Sequence, residues 1–451
     1  MISRVKGDTL LDDSPRSSRP GRRAAPWAVG LLLGALAAAS VSADVGPADA
    51  LGEPVAGQAL RLSGFGTLGV AGLSGPEGWG YRRELTQPGH ASTWRTDVDS
   101  RLGVQLNYAA SPALELVGQV IAKKRGAYAA DTDALEWAYA SYRPDADWTL
   151  RLGRVNVDAF LMADYRNVGF GFLTARPPVE LYARQPTTLD GGDVARSWWV
   201  GDAQWRVKVL AGNTRIGDNN FSKPGRLSGV RGAMVSREEG PWLLRASAAR
   251  GRVNFDLSGL QPALAIFGQL AQLPLPGIAA QAQAFRDRLS TNDLAVTFTE
   301  LGARYESADW QANLEFVRVA ASPLTSETTA YLTVGRRFGA WTPYVSLSRV
   351  RNGIAVLNPP AWQASLTPLL GASAAAQAQQ LADAATGLLN GGRIEQSSNA
   401  VGVRWDVHPQ AAVKLQWDQV RVPFGGGSLW TGADSRAARA RLTSLVLDFI
   451  F

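Results

Sequence analysis

The side chains that could do chemistry are few. The 451-residue chain has no Cys and two His, His90 and His408. Thiolate catalysis and Cys-ligated metals are therefore excluded. No nucleophile elbow accompanies either His, and each reads as a loop or turn residue rather than a catalyst or ligand. The stretch GFGTLG (64–69) matches G-x-G-x-x-G, with Glu84 further on. A dinucleotide site needs that turn to open a helix, and AGLSGPEGWGY, which follows, cannot form one. Asp97 and Asp99 in TDVDSR could hold a hard cation, but Arg95 and Arg101 flank them and favour ion pairs. No catalytic residue, metal or cofactor is assigned. What remains is charge gathered in one stretch, 155–196, which carries Asp164, Arg166, Arg176, Glu180, Arg184, Asp190 and Asp193. Aromatic residues interleave it (Phe160, Tyr165, Phe170, Phe172, Tyr182), so it is too apolar for disorder and too long for a plain connection.

The elements that must position this stretch are strands. From Arg61 onward a segment of alternating residues meets a tiny turn, a second segment follows, and a longer loop comes next. The tight turns are Ser111-Pro112, 144–147, 201–203, 238–241, 307–309, Gly339-Ala340 and 408–410, each a Gly, Pro, Asp or Ser cluster or its like. Seven such turns pair fourteen strands. RLSGFGTLGV before them and LTSLVLDFIF at the end bring the count to sixteen, with eight longer loops between. In DSRLGVQLNYAA, Leu102, Val104, Leu106 and Tyr108 alternate with polar residues; in AAVKLQWDQV, Val413, Leu415 and Trp417 oppose Lys414, Gln416 and Asp418.

A soluble sandwich would show the same period. The aromatics separate the two. Trp148, Trp205, Trp242, Trp310 and Trp341 each open a strand just after a tight turn, and Tyr108 precedes one. Aligning the turns on one rim makes these rings, with Phe451, an aromatic girdle of the kind that sits at a membrane interface. The fold class expected is therefore all-β, a sixteen-stranded transmembrane antiparallel β-barrel with short periplasmic turns and long extracellular loops. A soluble exported β protein is the bland rival.

The front end agrees with export. Residues 1–23 are polar with six Lys/Arg against three Asp, and AAPWAVGLLLGALAAASVSA then ends on small residues. We read 1–43 as a cleaved signal peptide, 44–60 as a lead-in and 61–451 as one barrel. The mature chain then has 40 basic and 36 acidic residues, a net charge of +4, too even to argue for nucleic acid. Two further loops, 253–293 and 352–395, are Ala/Gln/Leu-rich and expected to form short helices, protecting the barrel mouth or gating it.

The stretch DYRNVGF…RPPVELY…LDGGD and the C-terminal strand resemble Gram-negative (proteobacterial) general diffusion porins, whose third loop folds inward and narrows the lumen. The resemblance implies a water-filled channel in the outer membrane of a Gram-negative bacterium, passing small hydrophilic solutes and ions. It places Glu180, Asp190 and Asp193 on the loop side of a constriction, with Arg166, Arg176 and Arg184. Arg101, Arg151, Arg206, Arg304 and Arg404, which read as lumen-facing, would supply a basic wall, leaning the channel toward anions. It also implies recognition of the strand ending at Phe451 by the barrel-assembly machinery, outer-membrane lipid around the belt, and a possible homotrimer. Alternatives on the same scaffold are a substrate-selective or gated channel and a barrel enzyme using His90 or His408.

Overall fold

A computed structural model describes residues 59–89, 91, 93–125, 131–216, 225–290, 292–323 and 325–451. The expected leader, 1–43, and His90 lie outside the described residues. Sixteen long strands run in chain order: β1 (Leu60–Ser74), β2 (Arg101–Ser111), β3 (Leu114–Lys123), β4 (Leu135–Tyr142), β5 (Trp148–Asn156), β6 (Thr188–Val200), β7 (Ala203–Ile216) and β8 (Gly225–Glu239). They continue as β9 (Trp242–Asn254), β10 (Leu294–Glu306), β11 (Trp310–Ala321), β12 (Thr325–Arg336), β13 (Trp341–Asn352), β14 (Gln396–His408), β15 (Ala411–Val422) and β16 (Ala438–Ile450). Each pairs antiparallel with its chain neighbours, and β16 pairs back onto β1, so the sheet closes. The two-residue strand Trp94–Arg95 pairs with the far half of β1. Closure leaves no edge of unpaired amides, as a lipid solvent requires.

All seven tight turns fall where Gly, Pro, Asp and Ser cluster. One expected long loop does not exist. Ala321 of β11 pairs directly with Thr325 of β12, so the chain turns back there as tightly as on the opposite rim.

Alternation sorts the two faces. Outward lie Leu62, Leu102, Leu106, Leu152, Leu301, Leu314, Leu347 and Leu415, with Leu152 at 73% exposure. So many exposed aliphatics on one continuous surface would be an aggregation hazard in water and are at home in hydrocarbon. Inward lie Gln105, Gln119, Glu300, Glu315, Lys414, Gln416, Ser444 and Asp448, all buried. No helix among the described residues is long and apolar enough to cross a membrane.

Four helices fill the two long Ala-rich connections: α2 (Gln261–Leu270), α3 (Pro276–Leu289), α4 (Gln363–Leu370) and α5 (Ala372–Gly391), after the single turn α1 (Val179–Tyr182) of the third loop. Proline stands in the first turn of both α2 and α3, where its missing N–H has no partner to lose. The four share one apolar core of Phe267, Phe285, Trp362, Leu366 and Ala382. Trp362 meets both Phe rings edge-on, at 6.3 and 5.9 Å.

Candidate functional site: a loop braced across the lumen

The third loop leaves β5 at Asn156 and rejoins the wall at Thr188. Its aromatics bury themselves against the inward face of the barrel. Phe160 meets Phe298 of β10 edge-on at 4.9 Å, and Met162, Phe172, Leu181 and Tyr182 complete a cluster with Val317 and Tyr331. An apolar face on the loop thus finds apolar residues on the lumen side of β10–β12, where a water-filled barrel would carry polar ones.

Polar groups then fix the loop to the remaining wall. On one side the Asp158 carboxylate pairs with Lys208 of β7 and, at 2.7 Å, with Arg245 of β9. The Leu161 amide and the Tyr182 hydroxyl both donate to Glu315 of β11, at 3.0 and 2.7 Å. On the other side Lys414 of β15, with no exposed surface, donates to the carbonyls of Gly169 and Phe172 at 2.6 Å each and of Thr174 at 3.1 Å, and pairs with Asp448 at 2.9 Å. Gly169 sits so close to β16 that a Cβ there would overlap the Asp448 carboxylate and Thr67. The loop is therefore held from opposite walls.

Each charged residue singled out from the sequence has a defined place. Arg176 binds Asp99 and Ser444 at 2.6 and 2.5 Å and reaches Asp418 at 3.4 Å. Glu180 accepts from Ser348 at 2.7 Å, Gln396 at 2.6 Å, and Ser398. Arg184 pairs with Glu327, and Arg166 donates to the Tyr182 and Gln185 carbonyls, clasping the loop to itself. Arg101 pairs with Glu84 at 3.3 Å and Asn167 at 2.8 Å. Arg404 donates to the Phe170 carbonyl and Asp406, both at 2.7 Å. Arg151 clamps Asp193 at 2.6 Å.

Asp190 and Asp193 require a correction. Both stand on β6, not on the loop; Asp190 is exposed and pairs with Arg154, while Asp193 is buried against Arg151. The register of β6 on β5 sets Arg151 opposite Asp193 and Arg154 opposite Asp190, so these acids neutralise wall arginines. Arg304 lines a cavity of about 200 Å³ on the turn side of the loop, with Glu306, Arg337, Arg404 and Asp406. Arg206 makes no ion pair among the described residues.

The first connection joins the packing. Trp79, Tyr81 and Leu85 are buried beside Val179, Ala183, Leu429 and Trp430. Burial works against charge on Glu84, yet Lys123, Arg101, Arg166 and Arg83 hold its carboxyl well below the usual range. Asp99 is likewise held down against burial, by the charge and hydrogen bond of Arg176 and by Arg83 and Arg101.

On the outer face each strand-opening Trp meets the residue opposite it. Arg196 covers the Trp148 ring at 5.5 Å, Arg237 the Trp205 ring at 5.9 Å and Arg336 the Trp310 ring at 5.4 Å. Trp242 meets Tyr305 edge-on at 4.7 Å, and Trp341 stacks on Trp405 at 4.9 Å. Tyr108 and Phe451 are exposed on the same face. GFGTLG lies within β1, and His408 ends β14, its Nδ1 accepting from the Gln410 amide at 3.2 Å. Lysines 208 and 414, Asp158 and Glu315 were not singled out from the sequence. The available signal was the scarcity of Lys, six in the whole chain, three of them (Lys123, Lys208 and Lys414) on lumen-facing strand positions.

No family model matches the chain, and no curated protein matches it. Among solved structures it is similar to an anion-selective porin from Comamonas acidovorans, at 10% identity, covering 87% of this chain and 99% of that one, with a TM-score of 0.46. It is similar to Salmonella typhi OmpF in complex with daunomycin, at 10% identity over 87% and 97%, TM-score 0.46. It is also similar to the outer membrane channel DcaP of Acinetobacter baumannii, at 11% identity over 87% and 97%, TM-score 0.44. These likenesses carry nothing beyond the barrel. The barrel's own features define its class. A closed, even-stranded antiparallel sheet with an apolar belt and a polar, loop-filled interior is a porin-type barrel of the Gram-negative outer membrane.

Proposed function

We propose that the protein is an outer-membrane channel for small hydrophilic solutes whose inward loop leaves a narrow, charge-lined way past, so that passage is selective rather than sieve-like. The observation that carries this reading is the bracing of the third loop from opposite walls, by Lys208 and Arg245 on one side and Lys414 on the other. Solutes move down their own gradient. Dipolar ones are oriented by the facing charges of the passage, and apolar ones are penalised there. Most candidate constriction residues are paired, so they hold the loop's shape as much as they present charge. Arg206, and more weakly Arg304, which reaches Glu238 at 4.0 Å, remain to favour anions on the turn side. The strand-opening Trp residues, Tyr108 and Phe451 would lie at the headgroup level.

The test is single-channel conductance of the mature protein in a planar bilayer, beside a variant with 160–183 replaced by a short Gly/Ser link. Small ohmic steps that grow several-fold in the variant support the reading. Wild-type steps already as large as the variant's would show that the loop does not constrict. Absence of steps from both folded proteins would remove the channel and shift weight to a barrel enzyme, whose activity His90→Ala with His408→Ala should abolish. A positive reversal toward chloride supports the anion preference, and steps recurring in threes support a homotrimer. Deleting Phe451 should lower the assembled yield in outer membranes if the assembly machinery reads that terminus.

A further inference from the structure

A basic band crosses the outer face from β8 to β16, beyond the apolar belt and toward the long loops. Arg250 of β9, Arg318 of β11 and Arg349 of β13 share the outward parity of Trp242, Trp310 and Trp341 and stand eight residues further along the same strands. At ~3.3 Å per residue and ~40° of tilt, that spacing raises them about 20 Å above the Trp girdle. With the reach of a snorkelling guanidinium, they meet the far headgroup level of an apolar band ~25 Å tall.

The strand register continues the band. Arg231 of β8 lies directly opposite Arg250, and Arg439 of β16 directly opposite Arg421 of β15. Thr299 and Thr328 flank Arg318, and Ser397 stands between Arg349 and Arg421. All six arginines are exposed. No residue paired with any of them is acidic, and among the described residues none of them makes an ion pair. On the turn rim Arg196, Arg237 and Arg336 at least lie over aromatic rings. Like charges directly opposite one another destabilise a sheet, the more so where lipid displaces the water that screens them. The band places two such pairs. A guanidinium's planar fork matches phosphate oxygens, and two forks on neighbouring strands can share one phosphate.

We infer that this band is a docking surface for phosphate-bearing lipids, with one headgroup phosphate lodged between Arg231 and Arg250 and another between Arg421 and Arg439. The hydroxyls of Thr299, Thr328 and Ser397 offer further donors to the headgroups alongside. The band faces lipid rather than the lumen, so the inference stands apart from the channel reading and rests on the barrel alone.

The probe is dioleoyl phosphatidic acid, added to the full barrel in an uncharged maltoside detergent, with retained lipids counted by native mass spectrometry. Dioleoyl phosphatidylcholine carries the same tails with its phosphate charge masked, and inorganic phosphate supplies the anion without tails. Phosphatidic acid is expected to bind at least tenfold tighter than phosphatidylcholine, and equimolar inorganic phosphate should not displace it. Arg231→Gln with Arg250→Gln should remove one retained lipid, and Arg421→Gln with Arg439→Gln another. Arg206→Gln, which deletes a lumen charge instead, should leave the count unchanged. Heat-modifiable gel mobility separates binding from folding. Without lipid the double variants should melt no lower than the wild type, because they relieve like-charge repulsion. Phosphatidic acid should raise the melting temperature of the wild type but not of the protein with all four arginines replaced. Equal retention of phosphatidylcholine, displacement by inorganic phosphate, no loss in either double variant, or an equal loss in Arg206→Gln overturns the inference.

Discussion

Replacing Lys414 by Met tests how the inward loop is held. The ammonium is wholly enclosed, shared among three loop carbonyls and the Asp448 carboxylate. Methionine keeps the length of the stem and removes every donor. The Gly169 and Thr174 carbonyls lose their wall partner, the Phe172 carbonyl keeps only Arg404 at 3.3 Å, and Asp448 keeps only the Thr67 hydroxyl at 2.5 Å. Removing one member of a buried ion pair costs about 3–5 kcal/mol. At about 1.4 kcal/mol per tenfold, that is roughly a 150- to 5,000-fold loss in the docking equilibrium of the loop. The strand pairing of β15 is backbone and should survive, so the loss falls on the loop. Limited trypsin digestion reads it directly. Arg166 is buried and Arg184 is partly covered, so wild-type protein should resist cleavage there and Lys414→Met should be cut while the barrel stays intact. Adding Asp448→Asn should recover part of the loss, because the second change removes the carboxylate left unpaired. Wild-type protection and unchanged conductance in Lys414→Met would refute the idea that this contact holds the loop. A double variant no better than the single one would refute the charge accounting.

Acid should loosen the same packing. Asp99 and Glu84 have folded pKa values below their ordinary ones. Their stabilisation is therefore complete above ~4.3 and is lost as pH falls through the folded values. Conductance should be steady from pH 7 to 5 and become larger or flickering toward pH 3, with Asp99→Asn shifting the onset toward neutrality; a flat profile to pH 3 would count against these pairs. Gly66→Val should clash with the Phe449 ring, which lies where a Cβ would go. Overpacking of that kind costs about 1–3 kcal/mol, and heat-modifiable mobility should show melting at lower temperature, unless the seam is slack. Arg176→Ala should free the loop from Asp99 and Ser444 and raise proteolysis after Arg166, and unchanged digestion would show that this arginine is dispensable.

The barrel was legible because its turns are chemically loud. Gly240-Pro241 or Pro409-Gln410 cannot continue a strand, and each Trp that follows a turn marks the rim. Where that chemistry recurs on the other rim, as at Ser322-Pro323, sequence offers no way to tell a short loop from a long one. The stretch TTLDGGDVAR reads as loop because two adjacent glycines and four acids or hydroxyls weaken its alternation. The partner strands overrode that, since 188–196 pair with β5 on one side and 190–200 with β7 on the other. The ion pairs and hydrogen bonds that brace the loop join residues such as Asp158 and Lys208, or Gly169 and Lys414, far apart in the chain, and nothing local announces them. The apolar lumen face that the loop meets on β10–β12 was hidden for a different reason. In a strand such as LAVTFTELGA the inward Val296 and Phe298 alternate with outward Thr297 and Thr299, so pattern alone assigns the wrong face to lipid.

The closing seam has a consequence for the size of the whole lumen. Phe449 and Phe451 lie over Gly66 and Gly64, which alternate on the outer face of β1 between Leu62 and Leu68. Sliding β16 by two residues would put a ring onto a leucine at one end and leave an empty notch at the other. Only one alignment fits both rings. In a cylinder made of a fixed number of strands, the offset accumulated around the circumference sets their slant, and the slant sets the bore. Two missing side chains on the first strand therefore act as a gauge, fixing the diameter within which every other residue of the wall must meet its partner.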